Sequence, residues 1–243
     1  SHPELLDWLA GQFVETGWSL KTLHRSIMLS ESYQLTSSVA VDDPARESDP
    51  ENRSLTRFQR RRLDAESIRD SLLAVSGQLD RSPGSAHAIA PWHASRFSLN
   101  NPFHAEPVSR RRSVYLLTQR LFRHSFFGLF DAPDRNSSTS TRHVSNVPSQ
   151  ALFLMNSALV KEQAEALAAR LEQNSEPLDQ QLTRLYRLAF SRDPDPQERA
   201  SLLSFLASYQ AAAGQPVRSD GPSPELTALC RAVLTSNEFF FID

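Results

Sequence analysis

The stretch RFQRRRLDAESIRDSLLAVSG, residues 57–77, decides the fold, and the rest of the chain is organised around it. Its apolar side chains recur at steps of three and four residues, namely Ala65, Ile68, Leu72 and Val75. This spacing predicts one apolar stripe along a helix. Gly77 follows at the position where a helix commonly ends in a left-handed residue. The stretch therefore predicts a central helix over residues 57–78.

The opposite face of this helix is charged. Its charged side chains fall three or four positions apart, so that each carboxylate lies beside a guanidinium group: Arg62, Glu66, Arg69 and Asp70. Two interpretations stay open. In one, the charges form ion pairs along the surface of the helix, which contribute little to stability when they are exposed. In the other, Glu66 and Asp70 form a buried acid pair that arginines hold in place.

The composition indicates a globular protein with a real core. The chain has 243 residues, of which 40% are hydrophobic and 22% are charged. Its formal net charge is -2, so the protein has no overall basic field that would hold nucleic acid. No apolar run approaches the roughly 20 residues of a membrane-spanning helix, and we predict no membrane span in this segment.

Cysteine usage limits the covalent chemistry of the chain. Cys230 is the one cysteine in the sequence, which excludes an internal disulfide framework. The sequence also lacks the Cys-x-x-Cys-His motif through which a c-type haem attaches. We therefore predict no cofactor in this segment.

The first 56 residues predict a helix pair over 1–35 and an acidic linker over 36–56. Residues 1–4 combine the proline and the acid of a helix start, and Ser19 is placed to cap a second helix. The linker segment is acidic and carries few apolar residues. Because residues 1–4 resemble neither an initiator methionine nor a signal peptide, we expect the chain to be cut from a longer protein.

Residues 79–147 predict a long irregular excursion, because prolines and asparagines are scattered among aromatic residues there. Residues 110–118 form the one convincing strand candidate, since they are rich in residues that favour extended structure. Three histidines of the excursion lack the close paired spacing of a metal motif: His87, His93 and His104. We predict no metal site.

Residues 148–243 again have the periodicity of helices. We predict a break near Asn156, helix starts before residues 196 and 224, and an end of the last helix near Asn237. The predicted fold is therefore mainly α: a single bundle-like helical domain over 1–243, with the long excursion and at most a small β element. We expect the central helix to pack against the N-terminal helix pair and the C-terminal helices.

A second pair of carboxylates lies in the excursion. Asp131 and Asp134 flank Pro133 in a predicted turn. Carboxylates in turns commonly accept hydrogen bonds from the backbone, and this structural role competes with a functional one. The sequence leaves both open.

Several motifs occur in an order and spacing that resemble the planctomycete PSD family, the domain of unknown function numbered fifteen fifty-three. They are SHPELLDWLA at 1–10, GWSLK at 17–21, RRLDAESIRD at 61–70, RRSVY at 111–115, FDAPD at 130–134 and VPSQAL at 147–152. The terminal SNEF at 236–239 is similar to that family's ending. The resemblance spans nearly the whole chain.

This resemblance implies an exported or cell-envelope protein in which the segment follows other domains. Family members commonly carry an upstream cytochrome c module, so the resemblance implies a c-type haem there and contacts with upstream domains of the same polypeptide. The family assigns no role to its motif residues. In this chain they are Arg61, Arg62, Glu66, Arg69, Asp70, Arg112, Asp131, Asp134, Arg142 and Gln150.

The first functional hypothesis is a non-catalytic binding or scaffold module that engages a partner domain or an extracellular polysaccharide. Aromatic rings stack on sugar faces while charged side chains bind hydroxyl groups, which makes Trp92 with Arg96 a candidate site. The other candidate binding residues are the motif arginines Arg62, Arg69, Arg112 and Arg142.

The alternative is a hydrolase that uses Glu66 or Asp70 with Asp131 or Asp134. Two carboxylates across a cleft can divide the acid and base roles when their environments separate their pKa values. Nucleic-acid binding is disfavoured, because carboxylates are interleaved with the arginine runs. We expect the arginine and carboxylate motifs to converge in space around the central helix.

Overall fold

The computed structural model describes residues 2–37, 48–84, 109–118, 120, 123–213 and 221–242. Within these residues it contains nine α-helices, three short 3₁₀ segments and one two-stranded sheet. The prediction of a mainly α protein with a small β element is therefore confirmed. No helix in the described part of the chain is long and apolar enough to cross a membrane.

The chain divides into two compact units. The N-terminal unit comprises Ser1–Arg62 and Phe241–Asp243, and the main unit comprises Leu63–Phe240. The prediction that 1–243 acts as one domain stays a prediction.

The N-terminal unit contains a helix pair and the sheet. Its elements are α1 (Pro3–Glu15), α2 (Leu20–Met28), a 3₁₀ turn (Glu31–Gln34), β1 (Arg61–Arg62) and β2 (Phe241–Ile242). The Ser19 side chain accepts a hydrogen bond from the backbone N–H of Thr22, as the predicted cap requires. The two strands pair antiparallel, with Arg61 opposite Ile242.

The main unit contains the remaining helices. They are α3 (Ala65–Val75), α4 (Ser125–Leu129), α5 (Pro148–Asn156), α6 (Ala158–Glu172), α7 (Leu178–Phe190), α8 (Pro196–Ala213) and α9 (Pro224–Leu234), with 3₁₀ turns at Ser113–Tyr115 and Glu238–Phe240. The core is centred on α6, which packs extensively against α9 and also contacts α3, α5 and α7. Its inward side chains are fully buried, among them Val160, Leu167 and Leu171.

The central helix is shorter than predicted. It begins at Ala65, because the Asp64 side chain accepts a hydrogen bond from the backbone N–H of Ser67 and so caps the helix. Residues 57–64 precede the helix, and Arg61–Arg62 lie in β1. The predicted apolar stripe packs inward, with Ile68 and Leu72 fully buried.

The end of α3 is held by α6. Gly77 adopts a left-handed backbone conformation with φ 79°, as its position predicts. Arg170 of α6 donates a hydrogen bond of 2.7 Å to the Val75 carbonyl and one of 3.3 Å to the Ala74 carbonyl. The Ser76 hydroxyl donates to Gln163, also of α6, at 2.7 Å. The C-terminal carbonyls of α3 thus gain side-chain partners from another helix.

The strand predicted over 110–118 is wrong. Arg111 forms a single parallel bridge with Asp80, and Ser113–Tyr115 turn into a 3₁₀ segment. The backbone N–H of Ser113 donates to the Asp70 carboxylate at 2.8 Å. A strand needs that N–H for its neighbour, so the capture by Asp70 diverts the chain from extended pairing.

The predictions for the C-terminal helices are confirmed more closely. The predicted break near Asn156 separates α5 from α6, and the predicted starts at Pro196 and Pro224 are the first residues of α8 and α9. The predicted end of the last helix near Asn237 is wrong by about one turn, because α9 ends at Leu234 and a 3₁₀ turn follows.

Candidate functional site

A cavity lined by both polar and apolar side chains lies beside α3 and is here called the α3 cleft. Its volume is about 610 Å³, within the roughly 300–1,000 Å³ of small-ligand sites. Its charged lining consists of three carboxylates and three guanidinium groups: Asp64, Glu66, Asp70, Arg112, Arg135 and Arg142. Hydroxyl groups of Ser67, Ser71, Ser113 and Thr118 complete the polar lining. The α3 cleft belongs entirely to the main unit.

Glu66 is paired across the cleft with Arg142. Arg142 Nη1 donates to Glu66 Oε2 at 2.6 Å, and Nη2 lies 3.4 Å from Oε1. The Asp64 carboxylate lies 3.3 Å from the same guanidinium group. The hydrogen bond to Glu66 raises the pKa of Arg142 above its ordinary value. The charge of Glu66 is thus balanced by a charge-assisted hydrogen bond from Arg142.

Arg69 and Asp70 hold a neighbouring segment onto α3. The Arg69 side chain is only 6% exposed, and it donates to the carbonyl of Arg111 at 2.9 Å and to the carbonyl of Ser109. Asp70 accepts hydrogen bonds from the Ser113 hydroxyl at 2.7 Å and from the Ser113 backbone N–H. Burial lowers the pKa of Arg69, and the charge of Asp70 partly offsets that effect. This network fixes residues 109–113 against the helix.

A second polar cavity, here called the loop cup, has a volume of about 490 Å³. It is lined by Arg123, by residues 131–134, and by the segment from Ser137 to His143. Asp131 has φ 63°, and its carboxylate accepts hydrogen bonds of 2.8 Å from the backbone N–H and the hydroxyl of Ser145. Asp134 accepts one of 3.0 Å from the backbone N–H of Asn136. Asp134 therefore has the turn-stabilising contact typical of aspartate, whereas Asp131 binds a residue 14 positions further along the chain.

Gln150, a motif residue without a predicted role, is buried. Its side-chain amide donates to the carbonyl of Leu129 at 2.9 Å and lies 3.3 Å from the hydroxyl of Ser145. Since Ser145 also binds Asp131, the amide joins α4, the Asp131 turn and the start of α5. Gln150 thus has structural contacts that the sequence motif alone did not reveal.

The structure groups most of the candidate residues. Glu66, Asp70, Arg112 and Arg142 line the α3 cleft, and Asp131, Asp134 and Arg142 line the loop cup. Arg142 is thus common to both cavities.

Two candidates lie elsewhere, and two others are outside the described residues. Arg69 is buried beneath the 109–113 segment, and Arg62 lies in β1 of the N-terminal unit. Trp92 and Arg96 lie outside the described residues, as do His87, His93 and His104. In the part of the chain that is described, no group of three potential metal ligands clusters.

Arg135 is a cleft residue that was not among the candidates. It directly follows the FDAPD motif at 130–134, which was the available signal. Arg112 and Arg135 are both exposed. Neither guanidinium group makes a hydrogen bond or ion pair to another described residue, in contrast to Arg142 with Glu66. These two cations are therefore available to a ligand.

No curated protein and no solved structure matched the chain. The family model described as PSD1, protein of unknown function (DUF1553), matched residues 1–206. That match includes α3, the α3 cleft and the loop cup, and it agrees with the resemblance carried by the sequence motifs. The chain therefore belongs to the PSD1 family of proteins of unknown function (DUF1553).

Proposed function

We propose that this chain is a non-catalytic binding module whose α3 cleft holds an anionic, hydroxyl-rich ligand, namely a carboxylated polysaccharide. One contrast carries the proposal. Glu66 and Asp70 are held by Arg142 and Ser113, whereas Arg112 and Arg135 have no partner among the described residues.

The guanidinium group suits a carboxylate ligand. Its planar fork donates two parallel hydrogen bonds to one carboxylate, and such charge-assisted bonds are roughly twice as strong as neutral ones. The neighbouring hydroxyl groups of Ser67, Ser71 and Thr118 can each donate and accept. A sugar acid offers both kinds of group on one ring, so its chemistry matches the lining of the cleft.

The balance of charges in the cleft indicates that overall charge attraction does not carry recognition of the ligand. Three carboxylates and three guanidinium groups line the cleft, and the chain as a whole carries a formal charge of -2. Recognition then depends on directed hydrogen bonds from Arg112 and Arg135 rather than on a broad basic field. This supports a specific saccharide over nucleic acid, whose binding rests on many phosphate contacts.

The hydrolase alternative has less support. An acid or base catalyst needs a carboxyl group that can exchange a proton with the substrate. Glu66, Asp70 and Asp131 instead accept hydrogen bonds from Arg142, Ser113 and Ser145, respectively. The alternative is tested by incubating the protein with the oligosaccharide and measuring new reducing ends. Cleavage that Asp70→Asn abolishes while the variant stays folded would favour it.

Binding is tested by isothermal titration calorimetry with hexagalacturonate. The matched ligand is the same hexasaccharide with its carboxylates methyl-esterified, which removes the charge and keeps the sugar rings. We expect the acid to bind and the ester to bind at least about tenfold more weakly, since charge-assisted hydrogen bonds are lost. Equal binding of both ligands, or no saturable binding of the acid, would contradict the proposal.

Variants locate the binding to the cleft. Arg112→Gln and Arg135→Gln should each weaken binding of hexagalacturonate about tenfold or more. Arg81→Gln is the matched control, because Arg81 is exposed, has no partner among the described residues and does not line the cleft. Unchanged affinity in both cleft variants would place the ligand elsewhere. From the family resemblance we also propose that the protein is exported and that this segment contacts upstream domains of the same polypeptide.

A further inference from the structure

The α3 cleft and the loop cup share one lining residue. The shared residue is Arg142, which lines both cavities. Glu66 and Asp64 hold its guanidinium group from the cleft side, at 2.6 and 3.3 Å. Arg142 is thereby positioned between the two cavities.

The loop cup has the chemistry of a hydroxyl-binding surface. Five successive side chains that line it carry hydroxyl groups, in the run SSTST at 137–141. All five are exposed, and none of the five side chains forms a hydrogen bond to another described residue. Each hydroxyl group can donate one hydrogen bond and accept others. Such a surface matches the alternating donors and acceptors of a sugar ring.

The charged groups of the loop cup do not oppose this role. Asp131 and Asp134 accept hydrogen bonds from Ser145 and Asn136, so both carboxylates already have donors within the main unit. Arg123 donates to the Ala132 carbonyl at 2.7 Å and borders the cavity. His143 adds an exposed ring with two nitrogen atoms. The cup therefore offers donors of several kinds around a run of hydroxyl groups.

We infer that one linear oligosaccharide spans both cavities, with two of its carboxylates at Arg112 and Arg135 and its further sugar units in the loop cup. This inference rests on the proposed function and extends it from a ligand class to a ligand length. Each cavity alone has the volume of a small-ligand site. Two such sites that share Arg142 in their linings suit a chain of several sugar units better than a single sugar.

Length dependence follows from the geometry. Once one part of a chain occupies the α3 cleft, the next units meet the loop cup at a high effective concentration. A short oligomer lacks those units and gains nothing from the cup. Calorimetry with the full chain should therefore give hexagalacturonate an affinity about tenfold or more above that of digalacturonate.

Variants of the cup separate the two sites. The double variant Ser138→Ala with Thr139→Val should weaken the hexamer about three- to tenfold, as expected for neutral hydrogen bonds, and should leave the dimer unchanged. Arg112→Gln should weaken both oligomers. The matched control is Ser204→Ala with Ser208→Ala, which removes two exposed hydroxyl groups of α8 outside both cavities.

Each outcome decides one point. Equal affinity for dimer and hexamer, or equal weakening of both by the cup variant, overturns the inference while the proposed function stands. Absence of binding by both oligomers overturns the proposed function and the inference together. Should the double variant lose its circular-dichroism signal, Ser140→Ala in the same loop makes the same test.

Discussion

The two compact units use their apolar residues in opposite ways. None of the residues of α1 or α2, all of which the structure describes, is buried, and Leu6 of α1 is 68% exposed. In the main unit, Leu167 and Leu171 of α6 are fully buried. Small units bury a smaller fraction of their surface than larger ones. An amphipathic sequence thus specifies a helix in both units but a packed core only where several helices surround one another.

The cavities of the two units also differ, in the chemical character of their lining side chains. The N-terminal unit has a groove of about 540 Å³ that is mainly apolar, lined by Trp8, Ile27 and Phe58 among others. The α3 cleft of the main unit is lined by charged and hydroxyl-bearing side chains. Polar groups of the main unit are held in place by buried partners such as Arg69. A well-packed core is what allows such groups to be positioned.

The largest expected difference between the units is the chemical protection of a thiol. Cys230 of α9 is fully buried, and burial raises the pKa of its thiol to about 12. We expect a maleimide reagent at pH 7 to label Cys230 roughly a thousandfold more slowly than an exposed thiol, because labelling requires opening of the core.

The control places a cysteine in the N-terminal unit. Leu6→Cys in a Cys230→Ala background should react at nearly the rate of an unfolded peptide, since Leu6 is exposed. The measurement is the labelling rate by mass spectrometry. Comparable labelling rates for the two proteins would show that Cys230 is no better protected from the reagent than an exposed position of α1. The two units would then not differ in the protection of their side chains.

The next effect is the cost of truncating an apolar side chain. Leu171→Ala should lower the free energy of unfolding by about 2 to 5 kcal/mol, because it leaves a cavity in the core. Leu6→Ala makes the same chemical change at an exposed site and should cost less than about 0.5 kcal/mol. Urea denaturation followed by circular dichroism measures both. Similar costs for the two variants would contradict the assignment of the core to α6.

Arginine contacts provide a third comparison. Arg69→Met should destabilise the protein by about 2 to 4 kcal/mol, because the carbonyls of Ser109 and Arg111 and the Asp70 carboxylate lose a buried donor. Arg53→Met removes an ion pair with Glu51 in the N-terminal unit whose side chains are more than two-thirds exposed, and it should cost less than about 0.5 kcal/mol.

Hydrogen exchange separates this prediction from a general loss of stability. The amide of Ser113 donates to Asp70, so Arg69→Met should speed its exchange more than that of amides within α6. Uniform acceleration throughout the main unit would indicate that Arg69 supports the whole core and not the 109–113 segment in particular.

The smallest expected effect is a dependence of stability on pH. Hydrogen bonds from Arg192 lower the pKa of Glu198 in the main unit. Backbone hydrogen bonds from Ser54 and Arg53 lower the pKa of Asp49 in the N-terminal unit. A carboxyl group whose pKa is depressed by folding stabilises the protein above its unfolded-state pKa, and this stability is lost as the pH falls through the folded-state pKa.

Thermal melts of Glu198→Gln, from pH 7 down to below the folded-state pKa of Glu198, test the direction of this pH dependence. At pH 7 the variant should be less stable by at most about 1 kcal/mol, because the pair is partly exposed, and the difference should vanish once the pH lies below the folded-state pKa. Asp49→Asn should change stability in the same direction. A difference that stays constant with pH would mean that the charge of Glu198 has no part in the stabilisation.

Local patterns predicted the elements that depend on near neighbours. The start of α8 at Pro196 and the cap of α2 at Ser19 need only residues a few positions away. The predicted strand over 110–118 failed because its conformation depends on Asp70, 43 positions from Ser113 in the sequence. Propensity describes a segment in isolation, and a distant carboxylate overrode it here.

For the candidate site too, the sequence predicted features that depend on near neighbours and missed those that depend on distant residues. Helical spacing and the family motifs selected Glu66, Asp70 and Arg142 from the sequence, and all three side chains line the α3 cleft. The pairing of Glu66 with Arg142 spans 76 positions, so the sequence could not tell which carboxylates are already satisfied. Arg135 was missed for the same reason, since a single exposed arginine after a turn has no pattern of its own.

The sequence by itself determined the helical class, most helix starts and the membership of the PSD1 family, because periodicity, capping and motif order are properties of neighbouring residues. Only the tertiary structure decided which apolar faces are buried, where the sheet forms and which arginines have no partner among the described residues. Those outcomes depend on pairs of groups far apart along the chain, whose burial and hydrogen bonds exist only once the chain has packed.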